Sequence, residues 1–265
     1  MPANFWSAFL LTLLAGMATG IGSLLSLVKT KSNPKFLAGS LGFSAGVMLY
    51  ISFVELLPLG KEYVRKATTI SQGDSLAIIC FFAGIFCVAA IDFLVPSYEN
   101  PHETRLIKKH SFPSAEKLKK TGLITALAIG IHNFPEGLAT FMSGLSSLEL
   151  ALPVAVAIAL HNIPEGIAIS TPLFAATQSR KKAFWLSFAS GLAEPIGALV
   201  GFFFLRSLLG PLMLGVSFSF VAGIMVFISL DELLPTAEEF GEHHVAIYSL
   251  IAGMGVMATS LFLLS

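Results

Sequence analysis

Eight apolar stretches, each about 20 residues long, follow one another along the chain and constrain its fold more than any other feature. They cover residues 4–28, 36–58, 75–96, 121–142, 149–173, 183–205, 212–235 and 245–264. A helix of about 20 apolar residues crosses the hydrocarbon core of a bilayer, where it satisfies its own backbone hydrogen bonds. The sequence therefore predicts an all-α polytopic membrane protein with eight transmembrane helices, which form a single transmembrane domain over residues 1–265.

The composition supports this interpretation and excludes other classes of protein. Of the 265 residues, 55% are hydrophobic and 12% are charged, whereas an ordinary soluble domain has about 25% charged residues. The formal net charge is zero, so no basic field indicates a nucleic-acid partner. The predicted surroundings are the lipid bilayer.

The distribution of lysine and arginine predicts the orientation of the helices. Twelve of the 16 basic residues lie in the odd-numbered connections, and four lie in the even-numbered ones. The basic residues of short loops stay in the cytoplasm. The odd-numbered connections, including the long polar loop at 97–120 between helices 3 and 4, are therefore predicted to be cytoplasmic. Both chain termini are then predicted to lie outside.

An internal repeat relates the second predicted helix to the seventh. The stretch GVMLYISFVELLP at 46–58 aligns without gaps to GIMVFISLDELLP at 223–235, with eight identities in 13 positions. A weaker match pairs the first helix with the sixth. The two copies are offset by five helices, and an odd number of crossings reverses the direction of the second copy. The sequence therefore predicts an inverted repeat of helices 1–3 and 6–8, which is common in secondary transporters.

Two nearly identical polar motifs lie within apolar helices, HNFPEG at 132–137 and HNIPEG at 161–166. In each motif the histidine and the glutamate are four residues apart, so they project from one face of a helix. A rise of 1.5 Å per residue places both motifs, and Glu194, within one or two turns of the membrane midplane. We expect these side chains to form one polar layer. The candidate ligands are His132, Asn133, Glu136, His161, Asn162, Glu165 and Glu194.

The residue types of this layer indicate a metal site. Each carboxylate at the centre of a bilayer costs at least about 2.5 kcal/mol, and three of them close together repel one another. A divalent cation would neutralise them, and imidazole with carboxylate ligands suits zinc and its first-row neighbours. One motif alone is equally consistent with a buried His–Glu pair that only joins two helices. The function alternatives are a metal transporter, an intramembrane metal-dependent hydrolase and a metal-sensing or structural membrane protein.

At these motifs the sequence resembles the ZIP family of divalent metal transporters, and in particular its bacterial ZupT-type zinc uptake members. The stretches HNFPEGLAT, HNIPEGIAIS and GLAEPIG resemble the signatures of the family's fourth, fifth and sixth helices. The resemblance covers essentially the whole chain. It implies a 3+2+3 helix arrangement, a two-metal site at the midplane and a location in the cell inner membrane. It also implies a transporter, with no enzyme activity and no cofactor.

The resemblance further implies how the ligands are shared. The first metal position would use His132, Glu136, His161 and Glu165. The second would use Asn133, Glu136, Asn162, Glu165 and Glu194, so that both motif glutamates bridge the two ions. The implied substrate is Zn²⁺, or Fe²⁺, Mn²⁺, Co²⁺ or Cd²⁺, carried into the cytoplasm by alternating access. Metal selectivity, and whether the protein forms a homodimer, stay open.

Six further residues are candidates for the route to and from the site, or for an accessory role. Met48 matches a family position that can offer a thioether ligand, although the sequence alone favours a packing role. Glu55 lies at the predicted outer end of the second helix and is a candidate for metal capture. Asp231 and Glu232 lie at the predicted inner end of the seventh helix and are candidates for release. His243 and His244 follow them in the sequence EEFGEHH.

Overall fold

The structure is a computed structural model that describes residues 2–28, 34–94, 115–205, 210–239 and 242–264, and every regular element within these ranges is a helix. The α-helices are α1 Phe5–Val28, α2 Pro34–Ile51, α3 Leu57–Ala67, α4 Ile70–Leu94, α5 Ala115–Ser146, α6 Leu148–Thr177, α7 Arg180–Gly191, α8 Ala193–Leu205, α9 Pro211–Ile228, α10 Leu234–Glu239 and α11 His243–Leu264. Two π-helical turns, Ser52–Leu56 and Ser229–Leu233, join α2 to α3 and α9 to α10. The prediction of an all-α protein is confirmed.

Seven helical segments of the described chain are long and apolar enough to cross a membrane. They overlap seven of the eight predicted stretches. The remaining stretch, 121–142, lies in α5, which is not among these seven segments. The helical path through α2, its π turn and α3 continues to Ala67, beyond the predicted end of the second stretch at residue 58. The 3+2+3 arrangement stays a prediction.

The predicted loop at 97–120 lies mostly outside the described residues, which resume at residue 115. There α5 begins, so residues 115–120 are helical. His102 and His110 of this loop also lie outside the described part of the chain.

Helices α1, α5, α6, α7 and α8 pack on one another and form the site bundle. The remaining helices, here called the flanking bundle, comprise α2 with α10 and α11, and α3 with α4 and α9; of these, α2 also packs on α6 of the site bundle. Within each group the backbones approach closely at glycines, as small residues allow in membranes. A Cβ atom added to Gly22 of α1 would lie 1.7 Å from the carbonyl oxygen of Ile163 in α6. One added to Gly46 of α2 would lie 1.9 Å from that of Leu250 in α11.

The contact between the two bundles is of a different kind. For every described glycine that has a neighbour within 4 Å of an added Cβ atom, the nearest atoms belong to its own bundle. Between the bundles, apolar side chains such as Met48, Phe141 and Met225 belong to one buried cluster. A hydrogen bond also crosses this boundary, from the Ser44 hydroxyl to the His161 carbonyl oxygen at 3.3 Å. Backbone contact at glycines therefore holds the site bundle together, and it joins α2 to α11 and α9 to α3 and α4, whereas no described glycine makes such a contact between the site bundle and the other helices.

Candidate metal centre

The two polar motifs lie on α5 and α6, and Glu194 lies at the break between α7 and α8. The motif at 132–137 is inside α5, which continues through Pro135, and the motif at 161–166 is inside α6. The break at Leu192 separates α7 from α8 and leaves Glu194 in the first turn of α8. The start of a helix carries partial positive charge, which favours a carboxylate there. All three segments belong to the site bundle.

Six of the seven predicted ligands have a described side chain, and each of the six is fully buried. They are Asn133, Glu136, His161, Asn162, Glu165 and Glu194. The side chain of the seventh, His132, lies outside the description, although its backbone is part of α5. Full burial of three carboxylates in apolar helices is costly, so the layer requires a compensating interaction.

Direct contacts connect these side chains across the three segments. His161 Nε2 lies 3.4 Å from Glu136 Oε2, which joins α6 to α5. The Asn162 amide donates to Glu194 Oε1 and to the carbonyl oxygen of Ala15, the latter at 2.9 Å. The Asn133 amide donates to the carbonyl oxygen of Ser190 at 3.4 Å. The predicted convergence of the two motifs with Glu194 is therefore present in the structure.

The electrostatics of the layer favour a cation. The carboxylate of Glu165 lies within electrostatic range of those of Glu136, Glu194 and Glu232. In addition, three buried oxygens accept no hydrogen bond from any described residue: Asn133 Oδ1, Asn162 Oδ1 and Glu194 Oε2. A buried acceptor without a donor costs about 1 to 3 kcal/mol. A cation among these oxygens would offset both this cost and the mutual repulsion.

The layer is looser than a closed metal site. Among the described residues, no three His, Cys, Asp or Glu side chains stand at the mutual spacing that holds an ion. The asparagine oxygens, which are also candidate ligands, lie beside these groups. Metal binding at these residues would therefore require the side chains of α5, α6 and α8 to draw closer together.

Comparisons with known proteins agree with the motifs. The sequence model of a family described as "ZIP Zinc transporter" matches residues 95–261, which is more than half of the chain. The chain belongs to the ZIP family. It is 59% identical over 266 residues to "Zinc transporter ZupT" of Chlorobium chlorochromatii and 60% identical over 266 residues to that of Chlorobaculum parvum. It is 55% identical over 263 residues to that of Streptococcus mutans. In all three cases 99% of each chain is covered.

Family membership and the apolar helices together make the chain an integral membrane protein. Met48 is fully buried on α2. Glu55 lies half-buried in the first π turn, and Asp231 lies half-buried in the second. Glu232 is only 7% exposed, and its carboxylate influences that of Glu165. The part of Glu232 in metal release stays a prediction.

His243 and His244 lie at the start of α11 and are exposed. The Nδ1 atom of His243 is 2.8 Å from Oε1 of Glu238, which lies in α10. The two histidine rings contact each other edge to face, with centroids 5.6 Å apart. This cluster therefore lies at the surface, where α11 begins beside α10, and its part in metal release stays a prediction.

The two π turns are a feature that our sequence interpretation missed. The hydroxyls of Ser52 and Ser229 donate to the carbonyl oxygens of Met48 and Met225, at 2.6 and 2.7 Å. Each turn is followed by a proline in the second position of the next helix, and both turns fall at matching positions of the repeat. The repeat could have revealed Met225, which is fully buried and is the counterpart of Met48.

Proposed function

We propose that this member of the ZIP family transports divalent transition-metal cations, with zinc as the principal substrate, through the polar layer of the site bundle. The observation that carries the proposal is the fully buried cluster of Glu136, Glu165 and Glu194 beside His161, with three donor-free oxygens among its neighbours. Curated relatives named zinc transporters support zinc. Fe²⁺, Mn²⁺, Co²⁺ and Cd²⁺ offer similar ligand chemistry and stay candidate substrates.

The contacts support two adjacent ion positions. His161 contacts Glu136. Both residues are ligands of the first ion position that the family resemblance implies. Asn162 contacts Glu194. Both residues are ligands of the second ion position. Glu136 and Glu165 would bridge the two ions, with His132 completing the first position. In this arrangement Glu136 and Glu165 each bind two ions, so removal of either carboxylate weakens metal binding at both positions.

The packing supports alternating access by movement of one bundle against the other. The predicted ligands all belong to the site bundle, whose helices lock together at glycines. At the boundary with the flanking bundle no described glycine brings two backbones together, and side chains there can exchange partners more readily than interlocked backbones. The site bundle would then carry the ions past α2 and α9, with Met48 and Met225 facing the same buried cluster. Uptake into the cytoplasm, with both termini outside, follows from the family resemblance and the basic loops.

An intramembrane hydrolase is the weaker alternative, because the curated relatives are transporters. A metal sensor would need the metal site. It would not need the site bundle to move against the flanking bundle. A homodimer in the cell inner membrane stays a prediction of the resemblance.

Zinc uptake into proteoliposomes tests the proposed function. We expect the purified protein to move radioactive zinc into vesicles, and we expect Glu136→Ala and Glu165→Ala to reduce the initial rate at least tenfold. Both variants lack a bridging carboxylate, so both ion positions weaken. Elution of each variant as a monodisperse peak would show that it remains folded. Uptake at the wild-type rate by folded variants would show that the proposed site is wrong.

A second prediction concerns the boundary between the bundles. Ser44→Ala removes the hydrogen bond to the His161 carbonyl oxygen, which contributes about 1 kcal/mol. If movement of the bundle limits the transport cycle, the maximal uptake rate should rise up to about fivefold. Ser219→Ala is the matched control, since the Ser219 hydroxyl is also buried and donates within its own helix, to Gly215. An uptake rate for Ser44→Ala at or below that of the control would contradict the prediction.

A further inference from the structure

An apolar groove lies between α5 and α7 on the surface of the site bundle. It has a volume of about 750 Å³ and opens to the exterior of the bundle. Its walls include Leu123, Leu127, Phe134, Leu186, Ala189 and Ala193. In a membrane, lipid fills such an opening, and the residues around the groove determine which lipid binds there.

The groove opens where α7 lies farther from α5 than α8 does. Helices α5 and α7 run parallel, and beyond the break at Leu192 α8 is tight against α5. A Cβ atom added to Gly137 would lie 2.1 Å from the Glu194 carbonyl oxygen. Before the break, the nearest atom to a Cβ added to Gly130 is the Cα of Ser190 at 3.9 Å. The helices therefore diverge toward their N-terminal ends, where the groove opens.

The open end of the groove is flanked by basic residues. The exposed residues Arg180, Lys181 and Lys182 form the first turn of α7, and α5 begins with the sequence AEKLKK at 115–120. Trp185, 55% exposed, follows on α7, and exposed tryptophans are enriched at the membrane–water interface. Basic pockets between transmembrane helices bind anionic lipid headgroups. The same end of the groove thus combines positive charge with an interfacial position.

The length of the groove matches one leaflet. From Leu123 to Pro135 of α5 the lining spans about 18 Å at 1.5 Å per residue, and half of the hydrocarbon core is about 15 Å thick. At its deep end the groove reaches Pro135 and Ala193, which are the sequence neighbours of Glu136 and Glu194. Its depth therefore runs from the basic surface to the level of the polar layer.

We propose that this groove binds an acyl chain of an anionic phospholipid whose headgroup contacts the basic residues in the first turn of α7. The acyl chain acts as a wedge that fixes the separation of α5 and α7. Ser190 lines the groove and its carbonyl oxygen accepts from the Asn133 amide, so the wedge also positions Asn133. Binding of the lipid is independent of the proposed function. Its effect on zinc uptake rests on that function.

Tryptophan quenching by brominated lipids tests the binding. The chain has two tryptophans, so Trp6→Phe leaves Trp185 as the single probe. We expect brominated phosphatidylglycerol in phosphatidylcholine vesicles to quench Trp185 at a lower mole fraction than brominated phosphatidylcholine does. The preference should be about fivefold for each basic residue that contacts the headgroup. Combined replacement of Arg180, Lys181 and Lys182 by glutamine should abolish it. Equal quenching by both lipids would overturn the proposal.

A groove-filling variant separates the acyl chain from the headgroup. Ala189→Phe occupies the groove and should reduce the preference, whereas Ala83→Phe on the exposed face of α4 should keep it. Zinc uptake by the wild type should be faster in vesicles that contain phosphatidylglycerol. If the protein prefers the anionic lipid but zinc uptake does not depend on it, the lipid binds in the groove but does not act as a wedge. A lipid preference with no uptake in either type of vesicle would count against the proposed function and leave the binding supported.

Discussion

Zinc is expected to raise the melting temperature of the detergent-solubilised protein, and Glu194→Gln is expected to reduce that increase without destabilising the metal-free protein. Zinc that binds only the folded state stabilises it by about 2.7 kcal/mol at 100 times its dissociation constant. Glu194 has one oxygen that accepts from Asn162 and one that accepts from no described residue. Glutamine keeps an acceptor for Asn162 and removes the charge that would bind the second ion.

The metal-free variant should be as stable as the wild type, or more stable. Glu194→Gln removes one of three mutually repelling buried carboxylates, each of which costs at least about 2.5 kcal/mol at the bilayer centre when ionised. It also supplies an amide that can donate to a neighbouring carboxylate. A residue with a purely structural role would behave in the opposite way, because its loss would lower the metal-free melting temperature.

The measurement is a thermal melt followed by size-exclusion chromatography, with and without zinc. Glu149→Gln is the matched control, since Glu149 is an exposed carboxylate in the first turn of α6 and should leave the zinc effect unchanged. A full zinc-dependent increase in Glu194→Gln would show that Glu194 is not a ligand. A large loss of metal-free stability would assign it a structural role.

The apolar stretches predicted the membrane helices well because membrane burial imposes one simple requirement on composition. Their ends were harder to predict. Pro58 suggests the end of a helix, since proline removes a backbone donor. In the structure the π turn accommodates Pro58 in the second position of α3, and the helical path continues through the amphipathic residues up to Ala67. An apolar scan stops where polar residues begin, although the helix does not.

The polar layer could be predicted because helix rise converts sequence position into depth. Three motifs at equal depth in neighbouring helices meet in one layer, as the contacts of His161 with Glu136 and of Asn162 with Glu194 show. Proline removes a backbone donor and bends or breaks a helix, and shortly before Pro195 the helix is interrupted at Leu192. By contrast, α5 remains assigned as one helix through Pro135. The same residue type therefore has different outcomes, which depend on the packing around it.

The division into two bundles could not be predicted from the sequence. The chain contains 23 glycines, and small residues favour close helix packing wherever they occur. Which backbone each glycine meets depends on the three-dimensional arrangement. Gly22 meets Ile163 from a helix far along the chain, whereas Gly255 meets nothing within 4 Å of an added Cβ atom. Only the structure distinguishes a glycine that locks two helices from one that faces lipid.

Gly137→Ala is expected to reduce zinc uptake at least tenfold, whereas Gly130→Ala should be tolerated. Both glycines lie on α5, seven residues and therefore about two turns apart, so they occupy nearly the same face. A Cβ atom on Gly137 would lie 2.1 Å from the Glu194 carbonyl oxygen and 2.4 Å from its Cα atom. These are backbone atoms, so relief requires α8 to move. The alanine would thus displace Glu194 from Glu136 and Asn162, and overpacking itself costs about 1 to 3 kcal/mol.

Gly130 provides the matched control, because its added Cβ atom would meet the Cα of Ser190 at 3.9 Å, an ordinary contact. Alanine within a helix is favoured over glycine by up to about 1 kcal/mol, so Gly130→Ala should keep or increase the melting temperature. Initial uptake rates, normalised to folded protein, and melting temperatures should be measured for both variants. Equal uptake by the two would mean that the position of Glu194 against α5 does not govern zinc binding. A loss confined to Gly137→Ala would show that the close approach of α5 and α8 holds the ligands of the two helices together.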